Sequence, residues 1–204
     1  PKPPRVRREF PKEIGDYRIV ESEQGFSSIQ QISSGEVMHS VSDPIEEAKR
    51  LYVDQLDLDR LVDRAAEKAV TIWDVGMGAA TNAMAIVRAL EKKLGPGGVR
   101  IRIQSFELDL DSFRLALLHP YRFRYLQHPA PFALQRDGKW RSPCGRTEWS
   151  LFEGDFLEHL DRAGRHFAHR ATWTRLLADE RARDRTVSAA DAALAWMDEG
   201  LFAR

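Results

Sequence analysis

The chain has 204 residues, which is enough for one domain with a sizeable hydrophobic core. Its 31 Lys and Arg residues balance its 31 Asp and Glu residues, which excludes a general attraction to nucleic acid through net charge. The single cysteine, Cys144, excludes an internal disulfide framework. No apolar run approaches the roughly 18 residues of a membrane span, and no signal-peptide core stands out, so we expect a cytoplasmic protein without a membrane partner.

Changes in composition along the chain predict four segments. Residues 1–14 are rich in Pro and Arg and are predicted to form a flexible basic tail that can touch phosphates. Residues 15–69 are predicted to form a β-hairpin and a lead-in helix. Residues 70–160 form the predicted cofactor-binding half, with a basic and aromatic insertion at residues 119–148, and residues 161–204 form a helical C-terminal segment.

The most informative stretch covers residues 70–82, which read VTIWDVGMGAATN. A partly β-branched apolar run ends in an acid, two glycines follow one residue apart, and an alanine-rich helical pattern begins after them. This order predicts a strand, a tight turn and a helix N-terminus. Gly76 and Gly78 allow a ligand to approach the backbone, and the helix start offers it unpaired N–H groups. The alternative is an ordinary glycine turn between a buried strand and a helix.

The details of this turn favour one class of nucleotide ligand. Thr81 stands where a dinucleotide fingerprint has its third small residue, and Asp74 is not part of that fingerprint. No Gly-Lys-Ser/Thr follows, which excludes a Walker phosphate loop. An Asp-x-Gly-x-Gly turn is instead the common opening of S-adenosylmethionine-dependent methyltransferases. We therefore expect S-adenosylmethionine, or its product S-adenosylhomocysteine, as the cofactor.

Two acids follow at the ends of the next predicted strands. Residues 99–107 alternate as a strand does and end at Glu107, where a carboxylate can accept hydrogen bonds from a ribose diol. A second helix is predicted to begin at Asp109 or Asp111. Residues 149–156 are predicted to form a third short strand that closes with Gly154 and Asp155. The alternative for each acid is a helix N-cap.

The N-terminal half resembles a known family. The segments that carry the resemblance are SSIQ at 27–30, GEVMHS at 35–40, DPIEEA at 43–48 and LYV at 51–53. Together with the glycine turn they resemble the MnmC-like methyltransferases, which act on the aminomethyl side chain of the wobble uridine in tRNA. The resemblance covers residues 27–155. It implies a cofactor site formed by Met38, Asp74, Gly76, Gly78, Asn82, Glu107, Gly154 and Asp155.

The expected fold is α/β, a Rossmann-like S-adenosylmethionine-dependent methyltransferase fold with an N-terminal β-hairpin. The second half of its sheet is not evident, because residues 164–204 contain no β-branched run and suggest two helices. The family's fourth strand, with its Asp-Pro-Phe-Ser-Pro-like segment beside the substrate amine, has no counterpart here. The catalytic residue therefore stays unknown. The alternatives are an inactive or truncated methyltransferase-like binding protein and a small-molecule methyltransferase.

The insertion at residues 119–148 combines cations with aromatic side chains. Its candidate RNA contacts are the basic residues Arg122, Arg124, Arg136, Lys139 and Arg141. Cations can fix a phosphate backbone while aromatic rings stack on unpaired bases, so tRNA is a candidate partner. The alternative, which is favoured because residues 121–125 alternate as a half-buried strand would, is an insertion whose aromatic rings pack on the core while its arginines stay solvated. No metal site is expected, since the six histidines lack a metal-binding spacing. The oligomeric state is left open.

Overall fold

The computed structural model describes residues 10–39, 43–55, 70–93 and 100–159. The β-strands are β1 (Glu13–Ile14), β2 (Tyr17–Glu21), β3 (Ser27–Gln31), β4 (Val70–Val75), β5 (Ile101–Glu107), β6 (Lys139–Arg141) and β7 (Thr147–Glu153). The α-helices are α1 (Pro44–Ala48), α2 (Thr81–Lys93), α3 (Asp111–Leu118) and α4 (Pro129–Asp137). A π-helical segment (Lys49–Val53) continues α1, and a 3₁₀ turn (Arg124–Leu126) precedes α4.

Two sheets organise the described residues. The larger has the order β4-β5-β7-β6, in which the first three strands are parallel and β6 is antiparallel at one edge. Helix α2 connects β4 to β5, while α3 and α4 lie in the connection from β5 to β7. Strand and helix therefore alternate around a parallel sheet, which confirms the predicted α/β, Rossmann-like fold.

One face of the parallel sheet is closed by the helices. Ile72, Ile103 and Trp149 stand side by side in the register, and each is at most 3% exposed. They share one core with the buried residues of α2, α3 and α4. Every second residue at the start of β5 and β7 is buried, at positions 101 and 103 and at 147 and 149, which fits a sheet whose one face packs on helices.

The N-terminal sheet packs onto the same core. Strands β1, β2 and β3 form an antiparallel meander, with β1 and β2 against α3. Ile29 of β3 is 1% exposed and belongs to the central core. The predicted hairpin is therefore the β2–β3 pair, with a short additional strand before it. The predicted tail boundary at residue 14 is wrong, because Glu13 and Ile14 pair with β2 and the Pro11 carbonyl contacts His119 Nε2 at 2.8 Å.

The alternation at residues 121–125 does not form a strand. The N–H groups of Arg122 and Phe123 donate to the His119 carbonyl, and a 3₁₀ turn follows at once. Phe123 and Tyr125 are buried while Arg122 and Arg124 are exposed, as the packed-insertion alternative expected, so the alternation in the sequence reflects one-sided burial of successive turns. Alternation over five residues does not distinguish a strand from such turns.

Several sequence predictions lie outside the described residues. They are the first nine residues of the tail, the end of the lead-in helix at 56–69, the glycine-rich helix stop at 95–98 and the helices predicted within 164–204. Strand β7 corresponds to the strand predicted at residues 149–156, but it begins at Thr147 and ends at Glu153. Helix α3 begins at Asp111, which is one of its two predicted starts.

Polar side chains connect the three parallel strands within the core. Ser105 Oγ donates to Asp74 Oδ2 at 2.6 Å and accepts from Trp149 Nε1 at 2.8 Å. Ser105 and Trp149 are fully buried, and Asp74 is 9% exposed. One hydroxyl thus satisfies a buried donor and a buried acceptor on the two flanking strands.

We predict that Ser105→Ala costs about 2–4 kcal/mol of unfolding free energy, because it leaves both Asp74 and Trp149 without this partner. Ser150→Ala is the matched control. Ser150 lies on β7 opposite Gln104 of β5, and its side chain is only half-buried. Denaturant unfolding of both variants measures the difference. Equal losses would contradict the structural role given to the Ser105 hydroxyl.

Candidate nucleotide-binding site

The glycine turn after β4 has the backbone conformation that its residues favour. Gly76 and Gly78 have φ angles of +74° and +52°, in the left-handed region that L side chains rarely adopt. The N–H groups of Gly76 and Met77 donate to the Phe106 carbonyl at 2.9 and 3.2 Å, which ties the turn to the end of β5. A Cβ built on Gly76 meets nothing within 4 Å, so open space lies against its backbone.

Glu107 closes the other side of this turn. Its Oε2 accepts the Gly78 N–H at 2.6 Å, and its Oε1 accepts the N–H groups of Leu108 and Asp109 at 2.9 and 3.4 Å. A carboxylate has about four lone-pair positions, so Oε2 retains capacity for a further hydrogen bond. The arrangement places a half-buried acceptor beside the open backbone of Gly76.

Met38 brings the N-terminal sheet to the same turn. A Cβ on Gly78 would lie 3.1 Å from Met38 Sδ, so only glycine leaves this contact undisturbed. The Met38 N–H donates to the Ile29 carbonyl, and Ser28 Oγ donates to the Met38 carbonyl. The β3 strand therefore fixes the position of Met38 against the glycine turn.

His39 follows Met38 in a strained conformation. Its φ angle is +53°, and its Nδ1 lies 3.2 Å from Glu47 Oε1. Both side chains are about one-fifth exposed. Strained non-glycine residues are concentrated at functional sites, and His39 was not among the residues that the sequence singled out for the site. The positive φ could not be foreseen from the residue type.

Tyr125 supports the turn from the protein interior. Its hydroxyl accepts from Thr81 Oγ1 at 3.0 Å and donates to the Ala79 carbonyl at 3.2 Å. Ala80, between these two residues, is fully buried with φ of +61°. Burial raises the pKa of the Tyr125 phenol well above its ordinary value, so the ring stays neutral. Sequence reasoning missed this contact, because Tyr125 is 46 residues away from Ala79 in the chain.

Asn82 leaves a polar atom unused at the start of α2. Its Oδ1 is buried and has no hydrogen-bond partner in the described part of the chain. Buried polar atoms in native proteins are nearly always paired, so an orphan next to an open turn marks capacity for a ligand donor. The geometry is compatible with the predicted role of Asn82 in the cofactor site.

Gly154 and Asp155 lie at the end of the neighbouring parallel strand. The Gly154 N–H donates to the Glu107 carbonyl at 2.8 Å, which brings the ends of β5 and β7 together. Asp155 is exposed, and its Oδ1 accepts from the N–H groups of Leu157 and Glu158 at 2.7 and 3.2 Å. Asp155 thus caps the helical turn that follows, as the alternative interpretation of this acid expected.

Carboxylates give this end of the sheet a negative character. Burial, followed by the charges of Asp109 and Glu107, raises the pKa of the Tyr17 phenol. Burial, with a smaller contribution from the charge of Glu107, raises the pKa of Asp74 to about 6 against the hydrogen bond from Ser105 that lowers it. An acidic crevice of this kind favours a cationic ligand.

The structure therefore brings Met38, Gly76, Gly78 and Glu107 together, with Asn82 at the adjoining helix start. Asp74 lies beneath the turn, where its described hydrogen bond goes to Ser105 and not toward the open side. Among the described residues, no group of three or more His, Cys, Asp and Glu side chains has the arrangement of a metal site. In the same residues, no helix has the length and apolarity needed to cross a membrane.

Comparison with solved structures shows a protein to which the chain is similar. The chain is similar to MnmC2 from Aquifex aeolicus, with 26% sequence identity and a TM-score of 0.48. The match covers 74% of this chain and 46% of the other, so the chain spans about half the length of that protein. No protein-family model and no curated protein matches the sequence.

The buried carboxyl of Asp74 leads to a prediction about pH. Its folded pKa of about 6 lies above the ordinary value of 3.8, so the fold favours the protonated form. Its stabilising contribution is present below about pH 4 and is lost as the pH rises through 6, by up to about 3 kcal/mol. The side chain of Asp74→Asn does not titrate. The unfolding free energy of this variant should therefore rise relative to that of the wild type between pH 4 and 7. Parallel pH profiles in denaturant unfolding would contradict the assignment.

Proposed function

We propose that the chain is an S-adenosylmethionine-dependent N-methyltransferase that binds its cofactor at the glycine turn between β4 and α2. The observation that carries the proposal is the Glu107 carboxylate. It is held by the Gly78 N–H at 2.6 Å beside the open backbone of Gly76, and its Oε2 retains a lone pair while its Oε1 accepts the N–H groups of Leu108 and Asp109. A ribose diol can donate to such an acceptor.

The charge of the crevice favours this cofactor over a dinucleotide. A dinucleotide places a pyrophosphate at the glycine turn and helix start. Here Glu107 accepts from the turn, and Asp74 and Asp109 add negative charge nearby. A sulfonium compound with one nucleoside and no phosphate avoids the repulsion that a pyrophosphate would meet there.

The bound cofactor would supply a methyl group from its sulfonium to an amine nitrogen. The chain's own residues would contribute position: Glu107 holds the ribose, Gly76 and Gly78 admit the amino-acid end, and Asn82 Oδ1 accepts a hydrogen bond. Met38 would form an apolar wall against the turn. Methyl transfer requires an in-line approach, so such positioning supplies a large part of the catalysis.

We further propose that the amine belongs to the aminomethyl group of a tRNA wobble uridine. This step rests on the family resemblance of residues 27–155 and on the cations of the insertion. The runner-up is a protein that binds the nucleoside without turnover. A single-turnover assay with labelled S-adenosylmethionine and undermodified tRNA separates the two.

Glu107→Ala should weaken S-adenosylhomocysteine binding by about 1–3 kcal/mol in calorimetry, because the ribose loses charged acceptors. Glu153→Ala is the matched control, since Glu153 is the register partner of Glu107 and its side chain is exposed. Both variants remove one negative charge from the same edge of the sheet. An equal loss of affinity in the two variants would mean that Glu107 acts only through its charge. It would contradict the proposed hydrogen bonds between Glu107 and the ribose diol.

Gly76→Ala provides a steric test with a control of equal strain. Gly76 and Gly25 have φ angles of +74° and +82°, and a Cβ on either meets nothing within 4 Å. We expect similar stability losses from Gly76→Ala and Gly25→Ala, of about 1–2 kcal/mol. Only Gly76→Ala should lower S-adenosylhomocysteine affinity, and full binding by that variant would contradict the proposed site.

A further inference from the structure

A cavity lies on the flank of α2, away from the glycine turn. It has a volume of about 610 Å³, within the roughly 300–1,000 Å³ that ligand pockets span. The turn between β2 and β3, the start of α1, residues 121–125 and the middle of α2 surround it. We call it the arginine cleft, because Arg88, Arg122 and Arg124 all line it.

The cations of the cleft are available to a ligand. Arg124 is exposed and has no carboxylate within 4 Å among the described residues. Arg122 reaches Glu21 at 3.6 Å, but Glu21 is 62% exposed, and such surface pairs contribute little. Asp43, the other acid of the lining, accepts the N–H groups of Ile45 and Glu46 as the cap of α1.

Arg88 forms the inner wall of the cleft, and one of its N–H donors has no hydrogen-bond partner among the described residues. Its Nη2 donates to the Tyr125 carbonyl at 3.1 Å, while its buried Nε has no partner in the described residues. A guanidinium with an unused N–H in a cavity is suited to an anionic oxygen, because a charge-assisted hydrogen bond would satisfy it.

Aromatic rings complete the lining. Tyr121 is 86% exposed, which is unusual for so large an apolar surface, and Phe26 also lines the cleft. Cations that hold phosphates beside an open aromatic ring are the combination by which proteins bind unpaired RNA.

The other predicted RNA contacts do not line the cleft. Arg136 makes a two-pronged interaction with Asp137, with its shortest contact at 2.7 Å. Arg141 donates to the Gly145 carbonyl and pairs with Glu148 at 3.4 Å. Lys139 lies on the edge strand β6 between them. The insertion's arginines therefore divide into Arg122 and Arg124 at the cleft, of which Arg122 contacts Glu21 and Ser27, and Arg136 and Arg141 elsewhere, which contact carboxylates.

We infer that the arginine cleft is the RNA-binding site of this protein, taking phosphates on Arg122, Arg124 and Arg88 and an unpaired base on Tyr121. The choice of RNA rests on the proposed function. Tyr125 connects the cleft to the glycine turn, since its carbonyl accepts from Arg88 and its hydroxyl donates to the Ala79 carbonyl. A strand of RNA held at the cleft is thus one side chain away from the backbone of the proposed cofactor site.

The test is fluorescence anisotropy of a labelled RNA hairpin with an unpaired uridine loop, titrated without cofactor across a KCl series. Arg122→Ala/Arg124→Ala should weaken binding about tenfold or more at low salt. It should also lower the slope of log affinity against log salt by about 1.4, since each lost contact to single-stranded RNA accounts for about 0.7. Arg136→Ala/Arg141→Ala removes the same charge and should leave both quantities near the wild type.

Tyr121→Ala separates stacking from charge. It should lower affinity for the looped hairpin about fivefold or more with an unchanged salt slope, because stacking releases no counterions. A fully paired RNA duplex should bind the wild type and this variant alike. Thermal unfolding checks that the variants are folded, as the exposure of Tyr121 and Arg124 leads us to expect.

Several outcomes would overturn the inference. They are no RNA binding by the wild type even at low salt, equal losses in the two double-arginine variants, and an unchanged affinity in Arg122→Ala/Arg124→Ala. Because no cofactor is present, these results are measured independently of S-adenosylhomocysteine binding. Loss of S-adenosylhomocysteine binding in calorimetry would remove the methyltransferase proposal and leave a cleft that binds RNA.

Discussion

The hydrogen bond from the Gly78 N–H to the Glu107 carboxylate is the constraint on which the site depends. A helix N-terminus leaves its first N–H groups unpaired, and this carboxylate at the end of β5 satisfies one at the turn before α2. The bond requires parallel pairing of β4 and β5 in the observed register and left-handed φ angles at Gly76 and Gly78. Strand register, turn conformation and acceptor position are therefore fixed together.

Two chain segments outside the parallel sheet hold this turn from opposite sides. Met38 contacts Gly78 from the N-terminal sheet, and Tyr125 binds Ala79 and Thr81 from the insertion. The same two segments supply walls of the arginine cleft, through Ser27, the first residue of β3, and Arg122. The glycine turn and the cleft therefore share two supporting segments.

The sequence predicted those parts of the fold that local chemistry determines. Periodicity and the two glycines identified β4, α2 and β5, because a buried strand, a left-handed turn and an amphipathic helix each constrain nearby residues. Residues 121–125 do not form a strand although they alternate like one, since one-sided burial of short turns gives the same alternation. Tyr125, Ser105 and the strained His39 escaped prediction because their roles arise from contacts with residues distant in the chain or from backbone conformation.

The most direct test of the account is a titration of the isotope-labelled protein with S-adenosylhomocysteine, followed by amide NMR. The account predicts that the largest shifts occur at Gly76, Gly78 and the residues next to Glu107, while Ser27 and Arg124 at the cleft change little. Added NAD should leave the glycine turn unperturbed. Shifts confined to the cleft, or saturation of the turn by NAD and not by S-adenosylhomocysteine, would contradict the central claim.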